Sequence, residues 1–342
     1  MPMRVTLLLS SLLALSACWP ESRAEPLRIE GSTMGTTYHV TVVDPPEGMD
    51  EDRLREIADA SLAGLLSHVN NWDPGSEVSA FSASASTEPV TVSPVLRAVV
   101  AESARINALS GGMFDVTLAP LIDLWGFGPR RPEDPVPGEA EIAAAMEDVG
   151  QADKLVLEGD RLRKTRPGVS VNLGAIAKGQ GIDAVGDAIA AAGATRYLVE
   201  IGGDLVAAGQ NPEDRPWSIG IERPDAASRT VQTVIPVSGY GMATSGDYRN
   251  YFEQDGIRYS HILDPTTGRP VTHATASVTV LAETAMAADG LATALLAMGE
   301  EAAMPLARAE DIPVMFITRR DGAFVTETSP SFDALLAQME EK

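Results

Sequence analysis

Apolar residues recur at helical spacing in several segments of the chain, and good capping residues mark where these segments begin. Asp50 is a suitable N-cap for a first helix, which the Asn-Asn-Trp-Asp-Pro-Gly sequence at 70–75 then breaks. Ser93 and the proline after it predict the start of a second helix, and the glycine pair at 111–112 predicts its end. Further helices are predicted over about 139–149, 179–192 and 284–298.

Short runs rich in β-branched residues lie between these helical segments. They predict strands over 40–43, 197–200, 231–237, 275–281 and 314–318. A proline-rich loop is predicted over 128–138. Because strands and helices interleave without a strict βαβ repeat, the pattern predicts a mixed α/β fold of the α+β class.

The N-terminal residues are typical of an export signal. A positive start is followed by an apolar run from Val5 to Leu15, and Cys18, the only cysteine, follows small residues as in a bacterial lipobox. We therefore predict a lipoprotein signal peptide over 1–17 and a lipid-anchored tether over 18–28. The alternative is an ordinary secretory signal in which Cys18 occurs by chance.

The charge balance restricts the partners of the chain. There are 26 Lys and Arg residues against 48 Asp and Glu, which gives a formal charge of −22. So acidic a protein is not expected to bind nucleic acid or anionic lipid surfaces. A polyanionic ligand would need a cation to screen it, which favours a bound metal.

One segment combines a histidine with a turn. His261 precedes the sequence Leu-Asp-Pro-Thr-Thr-Gly at 263–268, and histidine titrates near neutral pH, so His261 is a candidate base. Asp264 could orient it or could instead form an Asx-type turn, and we favour the turn. The other histidines, His39, His68 and His273, lack ligand spacing and are predicted to be structural or exposed.

Two further segments could hold a metal and an anion. Asp289 and Thr293 are four residues apart on a predicted helix, so a carboxylate and a hydroxyl can face one Mg²⁺ ion. Alternatively they are a solvated Asp and a core-facing Thr. The segment 172–179 leads into a helix and carries Lys178, which suits an anion. It could equally be a plain loop-to-helix junction.

The order of the motifs is more specific than any one of them. The segments 31–36, 111–117, 120–128, 172–179, 201–204, 260–268 and 288–293 follow the order seen in the ApbE family, and the chain resembles that family from about 29 to 336. The resemblance implies a T-fold-like mixed α/β architecture in one domain over 29–338. It also implies a periplasmic lipoprotein on the inner or the outer membrane.

The resemblance implies a role for individual residues. His261 corresponds to the proposed base. Asp289 and Thr293 correspond to metal ligands, with the Ala175 carbonyl as a third, and Cys18 to the lipidated cysteine. The positions that resemble FAD-contacting residues are Met34, Asn71, Trp72, Met113, Phe114, Asp115, Asn172, Lys178 and Leu263. The chain departs from some relatives at Ala292, where they carry a second carboxylate, which argues against two metals.

The implied activity is an Mg²⁺-dependent FAD:protein FMN transferase. Such an enzyme cleaves FAD at the pyrophosphate, attaches FMN to a Thr or Ser hydroxyl of an acceptor flavoprotein, and releases AMP. The acceptor expected is a subunit of an electron-transport complex. Two alternatives are a periplasmic FAD pyrophosphatase and a flavin-binding lipoprotein without catalysis.

Overall fold

The computed structural model describes residues 25–127, 134–225 and 230–341. The predicted signal peptide, Cys18 and most of the predicted tether lie outside the described residues, as does half of the predicted proline-rich loop. Among the described residues, no helix is both long enough and apolar enough to span a membrane.

Helices and strands alternate irregularly along the described chain. The helices are α1 (Glu51–Val69), α2 (Glu77–Ala83), α3 (Pro94–Leu109), α4 (Ala119–Leu124), α5 (Glu139–Met146), α6 (Gln151–Lys154), α7 (Ala177–Ala191), α8 (Ala285–Met298), α9 (Glu300–Ala309) and α10 (Pro330–Glu340). The strands are β1 (Leu27–Thr33), β2 (Thr36–Val42), β3 (Val90–Thr91), β4 (Leu155–Glu158), β5 (Arg161–Lys164), β6 (Tyr197–Ile201), β7 (Asp204–Ala208), β8 (Trp217–Glu222), β9 (Val231–Val237), β10 (Tyr240–Gly246), β11 (Tyr251–Gln254), β12 (Ile257–Ser260), β13 (Leu263–Asp264), β14 (Arg269–Pro270), β15 (Thr275–Ala282), β16 (Val314–Arg320) and β17 (Ala323–Thr328).

An eight-stranded sheet forms the centre of the fold. Its strand order is β1-β2-β6-β7-β10-β15-β16-β17, and each neighbouring pair is antiparallel. Side chains alternate between the two faces, as the pleat requires. On β16, for example, Val314 and Phe316 lie in one apolar core and Met315 and Ile317 in another.

The two faces of this sheet are covered differently. Helices α1, α7 and α8 pack on one face, and the β8–β9 hairpin packs with α10 on the other. Helix α8 is buried on nearly all sides, which explains its run of alanines and leucines. A buried carboxylate on such a helix, Asp289, is therefore the polar group that most needs explanation.

The predicted elements with clear caps are confirmed. Asp50 caps α1, Ser93 caps α3 and Thr284 caps α8, each by accepting a backbone N–H of the first turn. Helix α7 begins at Ala177, two residues before the predicted start. The five predicted strands are present, four of them within two residues of the predicted bounds, whereas β2 begins at Thr36, four residues before its predicted start.

Helix α2, capped by Ser76, was not predicted because it is only seven residues long. Helix α5 ends at Met146, three residues before the predicted end.

Candidate active site

Helices α7 and α8 meet at a buried carboxylate. Asp289 lies on α8 with 4% of its surface exposed, and its Oδ2 accepts the N–H of Gly179 on α7 at 2.9 Å. Because α7 begins at Ala177, Gly179 lies in its first turn, where backbone N–H groups have no acceptor within the helix. Asp289 supplies that acceptor, and the Ala175 carbonyl lies just before the helix.

A second buried carboxylate binds Lys178, the lysine of the segment 172–179 that is predicted to suit an anion. Lys178 forms an ion pair with Asp204, which is 1% exposed and also accepts the Thr244 N–H at 2.9 Å. Burial alone would lower the pKa of Lys178, but Asp204 and Asp289 outweigh this effect and raise it. Lys178 is therefore a cation placed between two acidic side chains.

The hydroxyl predicted as a metal ligand lies on the same helix as Asp289. Thr293 Oγ1 is 3.0 Å from Ser245 Oγ at the end of β10. Asp289, Thr293 and the Ala175 carbonyl are all hard oxygen donors, which Mg²⁺ prefers. Within the described residues there is no cluster of three or more His, Cys, Asp or Glu side chains suited to a metal. One carboxylate, one hydroxyl and one carbonyl would suit an ion whose other ligands are water or phosphate oxygens.

The electrostatics of Asp289 agree with this fit. Burial raises the pKa of Asp289 to about 7, Asp204 adds to the rise, and Lys178 opposes it. A carboxylate that is costly to ionise in isolation gains most from a cation beside it. The chemistry of the donor set and the burial of Asp289 thus both favour a divalent cation here.

The candidate base is fixed by a backbone carbonyl. His261 Nδ1 lies 2.8 Å from the Asn250 carbonyl oxygen, and its backbone N–H donates to the same oxygen at 3.2 Å. A carbonyl only accepts, so Nδ1 carries the hydrogen and a neutral ring has its lone pair on Nε2. Burial lowers the pKa of His261, although the Asn250 carbonyl and Asp247 oppose this. The ring is thus a neutral base at neutral pH.

Asp264 shapes the turn after His261. Its Oδ1 accepts the backbone N–H of Thr266 at 2.7 Å and the Thr266 hydroxyl at 2.6 Å, and its carbonyl accepts the Gly268 N–H at 2.9 Å. The prediction of an Asx-type turn is confirmed. Trp125 fastens the same turn to the core, because its Nε1 donates to the Gly268 carbonyl at 2.7 Å.

The segment from Ser245 in β10 to Asn250 contacts both the candidate base and a candidate metal ligand. Ser245 contacts Thr293, and five residues later Asn250 holds His261. The structure therefore places the candidate base and the candidate metal ligands at opposite ends of one short segment.

Asn71 supports the neighbouring loop. Its Nδ2 donates to the Val171 carbonyl at 2.6 Å, and its Oδ1 accepts the Leu173 N–H at 2.7 Å. Both polar groups of its side chain are therefore committed to the backbone that presents Asn172. The Oδ1 of Asn172 in turn accepts the Gly174 N–H at 2.9 Å.

Two predicted flavin contacts lie at the surface. The β1–β2 hairpin, with Met34 at its turn, lines an open cleft of about 710 Å³. A Cβ on Gly181 of α7 would lie 3.0 Å from Met34 Cε, so the methionine packs close to α7. Trp72 is 75% exposed beside Asn71, which leaves its ring accessible to a ligand.

The predicted FAD-contacting segment 113–115 is mostly occupied by internal contacts. Phe114 is 2% exposed in the apolar core, so any ligand contact there would involve its backbone. Asp115 accepts the N–H and hydroxyl of Thr117 at 2.6 and 2.5 Å and the Gln151 N–H at 2.8 Å. Met113 is half-buried. The segment lies beside the loop of the site, because the Val116 carbonyl accepts the Asn172 N–H at 2.7 Å.

Leu263 and the remaining histidines have structural surroundings. Leu263 is 4% exposed in a small core with Leu121 and Trp125. His39 and His68 lie 2.6 and 2.7 Å from the carboxylates of Glu200 and Glu77. His273 is half-buried away from these contacts. Through its core with Leu121 and Trp125, Leu263 supports the strand beside His261.

Three residues that the sequence did not single out belong to this site. Asp204 was included only as the end of the segment 201–204, and Ser245 lies in no predicted element. Asp183 lies on α7 among Ile182, Val185 and other apolar residues. A carboxylate on an otherwise apolar helix face can be recognised in the sequence. Its partners, Ala285 and Met286, lie about a hundred positions later and cannot be predicted from it.

The segment 245–250 contacts a neutral, hydrogen-bonded histidine at one end and the helix with the buried carboxylate Asp289 at the other. A neutral histidine together with buried carboxylates and a lysine is typical of an enzyme active site, carried here on an antiparallel sheet with helices packed over it. The chain belongs to the ApbE family, whose family model matches residues 34–316.

Curated relatives and solved structures agree with this assignment over nearly the whole chain. The FAD:protein FMN transferase of Vibrio cholerae serotype O1 is 44% identical over 330 residues, which are 96% of this chain and 98% of the relative. That of Haemophilus influenzae is 39% identical and covers 94% of each chain. The solved flavin transferase ApbE from Vibrio cholerae matches with a TM-score of 0.84 and 43% identity, over 91% of this chain and 99% of its own. The apo form of Pseudomonas stutzeri flavinyl transferase ApbE matches with a TM-score of 0.85 and 38% identity, over 93% of this chain and 99% of its own.

Proposed function

We propose that this chain is an FAD:protein FMN transferase that attaches FMN to a hydroxyl of an acceptor protein. The observation that carries the proposal is that one short segment, 245–250, contacts two groups of residues in a chain of the ApbE family. One group is His261, whose Nε2 is free to accept a proton. The other is the set of oxygen donors on and beside α8, namely Asp289, Thr293 and the Ala175 carbonyl.

The reaction is a displacement at phosphorus. The acceptor hydroxyl oxygen bonds to the phosphorus atom of the FMN half of FAD, and the bond from that phosphorus to the bridging oxygen breaks. The hydroxyl proton passes to His261 Nε2, and the leaving AMP carries the bridging oxygen. A base placed in this way contributes about 10²–10⁴-fold in rate.

The second requirement is neutralisation of the pyrophosphate charge. Asp289, Thr293 and the Ala175 carbonyl would hold one Mg²⁺, which when bound supplies charge neutralisation to the pyrophosphate. Lys178 adds a fixed positive charge at the start of α7, where backbone N–H groups also favour an anion. Asp204 keeps this ammonium in place, so Lys178 acts from a defined position.

We propose that the flavin and adenosine halves lie across the neighbouring surfaces. Met34 on its hairpin and the exposed ring of Trp72 are suited to contact the isoalloxazine ring. Asn172, held by its own loop, and Met113, on the segment hydrogen-bonded to that loop, are suited to contact the adenosine half. Asn71 contributes by fixing the backbone around Asn172, and Phe114 and Asp115 by packing and hydrogen bonding in the neighbouring segment. Leu263 contributes by packing in the small core beside His261.

The acceptor and the location are proposals from the sequence. We propose that the acceptor is a flavoprotein subunit of a membrane electron-transport complex, and that Cys18 carries a lipid that keeps the enzyme on the periplasmic side. The lipobox-like sequence supports the anchor. Labelling with a fatty-acid analogue is expected to mark the wild type and not Cys18→Ala.

Nucleotide analysis tests the activity. Wild-type enzyme incubated with FAD, Mg²⁺ and a Thr-bearing acceptor domain is expected to release AMP in step with covalent FMN on the acceptor. Asp289→Ala is expected to lose turnover and to bind FAD more weakly. AMP and free FMN in equal amounts without an adduct would instead indicate a pyrophosphatase, and intact FAD would indicate a flavin-binding protein.

A further inference from the structure

Asp183 joins the two helices of the site without touching any of the candidate metal donors. It lies half-buried on α7, and its two carboxylate oxygens each accept one backbone N–H of the first turn of α8. Asp183 Oδ1 accepts from Ala285 and Oδ2 from Met286, both at 2.8 Å. These N–H groups have no partner within their own helix, so the carboxylate satisfies two of them at once.

A second hydrogen bond connects the same two helices. Asp183 lies opposite Ala285, and one turn earlier on α7 Gly179 donates to Asp289, one turn later on α8. The two contacts therefore connect the helices at positions one turn apart on each helix. Asp289 and Thr293 lie on α8, and Ala175 lies two residues before α7 begins. The three candidate metal donors thus lie on, or next to, the two helices that Asp183 connects.

The backbones of α7 and β10 pack tightly against the first turn of α8 at Ala285. A Cβ on Gly179 would lie 2.3 Å from the Ala285 carbonyl oxygen, and one on Gly241 would lie 2.3 Å from the Ala285 nitrogen. The first turn of α8 therefore has no room to slide toward α7 or β10. Asp183 supplies the hydrogen bonds that keep it from moving away.

We propose that Asp183 is a positioning residue that sets the register of α8 against α7 and so fixes the spacing of the Ala175, Asp289 and Thr293 oxygens around the metal. The inference rests on the proposed function for its use of a metal-bound pyrophosphate. Asp183 acts through α8 and takes no part in the chemistry. Loss of one of its oxygens lets the first turn of α8 retreat from α7 and loosens all three donors together.

Asp183→Asn is the direct variant. Its amide keeps one acceptor oxygen but turns an NH₂ group toward the second N–H, so one hydrogen bond of the pair is lost. Asp187→Asn is a matched control, because Asp187 lies exposed one turn later on the same helix and the same charge is removed. Asp183→Glu keeps the charge but displaces the carboxylate by one methylene.

The main measurement does not depend on turnover. Mn²⁺, which shares oxygen ligands with Mg²⁺, is titrated into each FAD-bound protein, and the loss of its free-ion electron paramagnetic resonance signal reports binding. Asp183→Asn is expected to bind Mn²⁺ about 10-fold more weakly, a typical effect of removing a group that orients metal ligands. Asp187→Asn is expected to stay close to the wild type, and FAD affinity in EDTA is expected to be unchanged in both.

Turnover gives a second readout. The Mg²⁺ concentration for half-maximal transfer is expected to rise with the Mn²⁺ dissociation constant, and kcat to fall while the KM for FAD is kept. Asp183→Glu is expected to recover part of the loss. Wild-type Mn²⁺ affinity in Asp183→Asn would overturn the proposal, as would a wild-type protein that binds no Mn²⁺. Should Asp183→Asn not fold, the same comparison with Asp183→Glu decides. A wild type that binds Mn²⁺ but attaches no FMN would overturn the transferase proposal alone.

Discussion

Removing the charge of Asp204 tests whether the buried ion pair stabilises the site. Asp204→Asn keeps the shape of the side chain and an oxygen that can accept the Thr244 N–H, now at 2.9 Å. It removes the negative charge that pairs with Lys178. The variant therefore isolates the ion pair from the other contacts of the residue.

The burial of the two partners sets the magnitude. Breaking a fully buried pair costs about 3–5 kcal/mol because the remaining charge is left without compensation. The Lys178 side chain is 27% exposed, against 2% for Asp204, so water compensates part of the loss. We expect a decrease of about 2–3 kcal/mol in the free energy of unfolding. At about 2–4 °C per kcal/mol, the melting temperature falls by about 4–12 °C.

Urea unfolding of the metal-free protein at pH 7.5 measures this free energy. Lys178→Met and the double variant complete a thermodynamic cycle, in which the coupling energy of the pair is expected to be about 1–3 kcal/mol. Lys178→Met should destabilise the protein because Asp204 and Asp289 then lose their cation. An Asp204→Asn protein as stable as the wild type, together with additive single variants, would refute the argument.

Three further predictions follow from single contacts. Asn71→Ala removes both hydrogen bonds that hold the backbone around Asn172 and is expected to cost about 2–3 kcal/mol in urea unfolding. Gly179→Ala places a methyl group 2.3 Å from a backbone oxygen of α8, and is expected to lower both the stability and the transfer rate. His261→Asn is expected to lower kcat about 100-fold or more. In the wild type, kcat/KM should rise with pH through a pKa below 6.5, because burial lowers the pKa of His261 and only the neutral ring accepts a proton.

Each of these predictions has a control and a contradicting result. Trp72→Ala, next to Asn71 but exposed, should change unfolding by less than about 0.5 kcal/mol, and an equal loss in both variants would contradict the role of Asn71. Gly64→Ala adds its methyl group to open space on α1, so it should be neutral or stabilising, and similar behaviour of Gly179→Ala would contradict the close packing. An acidic limb in the pH profile that persists in His261→Asn would assign it to another group.

The elements that the sequence predicted well are those with local signals. Asp50, Ser93 and Thr284 each cap their helix through a hydrogen bond to a residue three positions ahead, so sequence alone contains the information. The hairpin turn was missed because its first residue, Met34, adopts a positive φ that glycine and asparagine usually adopt. The order of strands in the sheet depends on pairings between distant segments, such as β2 with β6, which no local pattern contains.

The residues of the candidate site also differ in whether the sequence alone could predict them. His261, Asp289 and Thr293 could be proposed from their residue types and spacing together with the order of the motifs. The partners of these residues could not. Asp204 approaches Lys178 only because β7 lies under the start of α7, and Asp183 meets α8 across 102 positions of sequence. Such contacts are consequences of the tertiary fold.

The mass of an intact acceptor domain after incubation tests the central claim most directly. With wild-type enzyme, FAD and Mg²⁺, we predict that the acceptor gains the mass of one FMN less one water, and that replacing its single target threonine by alanine abolishes the gain. An acceptor of unchanged mass, while the same reaction converts FAD to free FMN and AMP, would contradict the assignment as a protein FMN transferase.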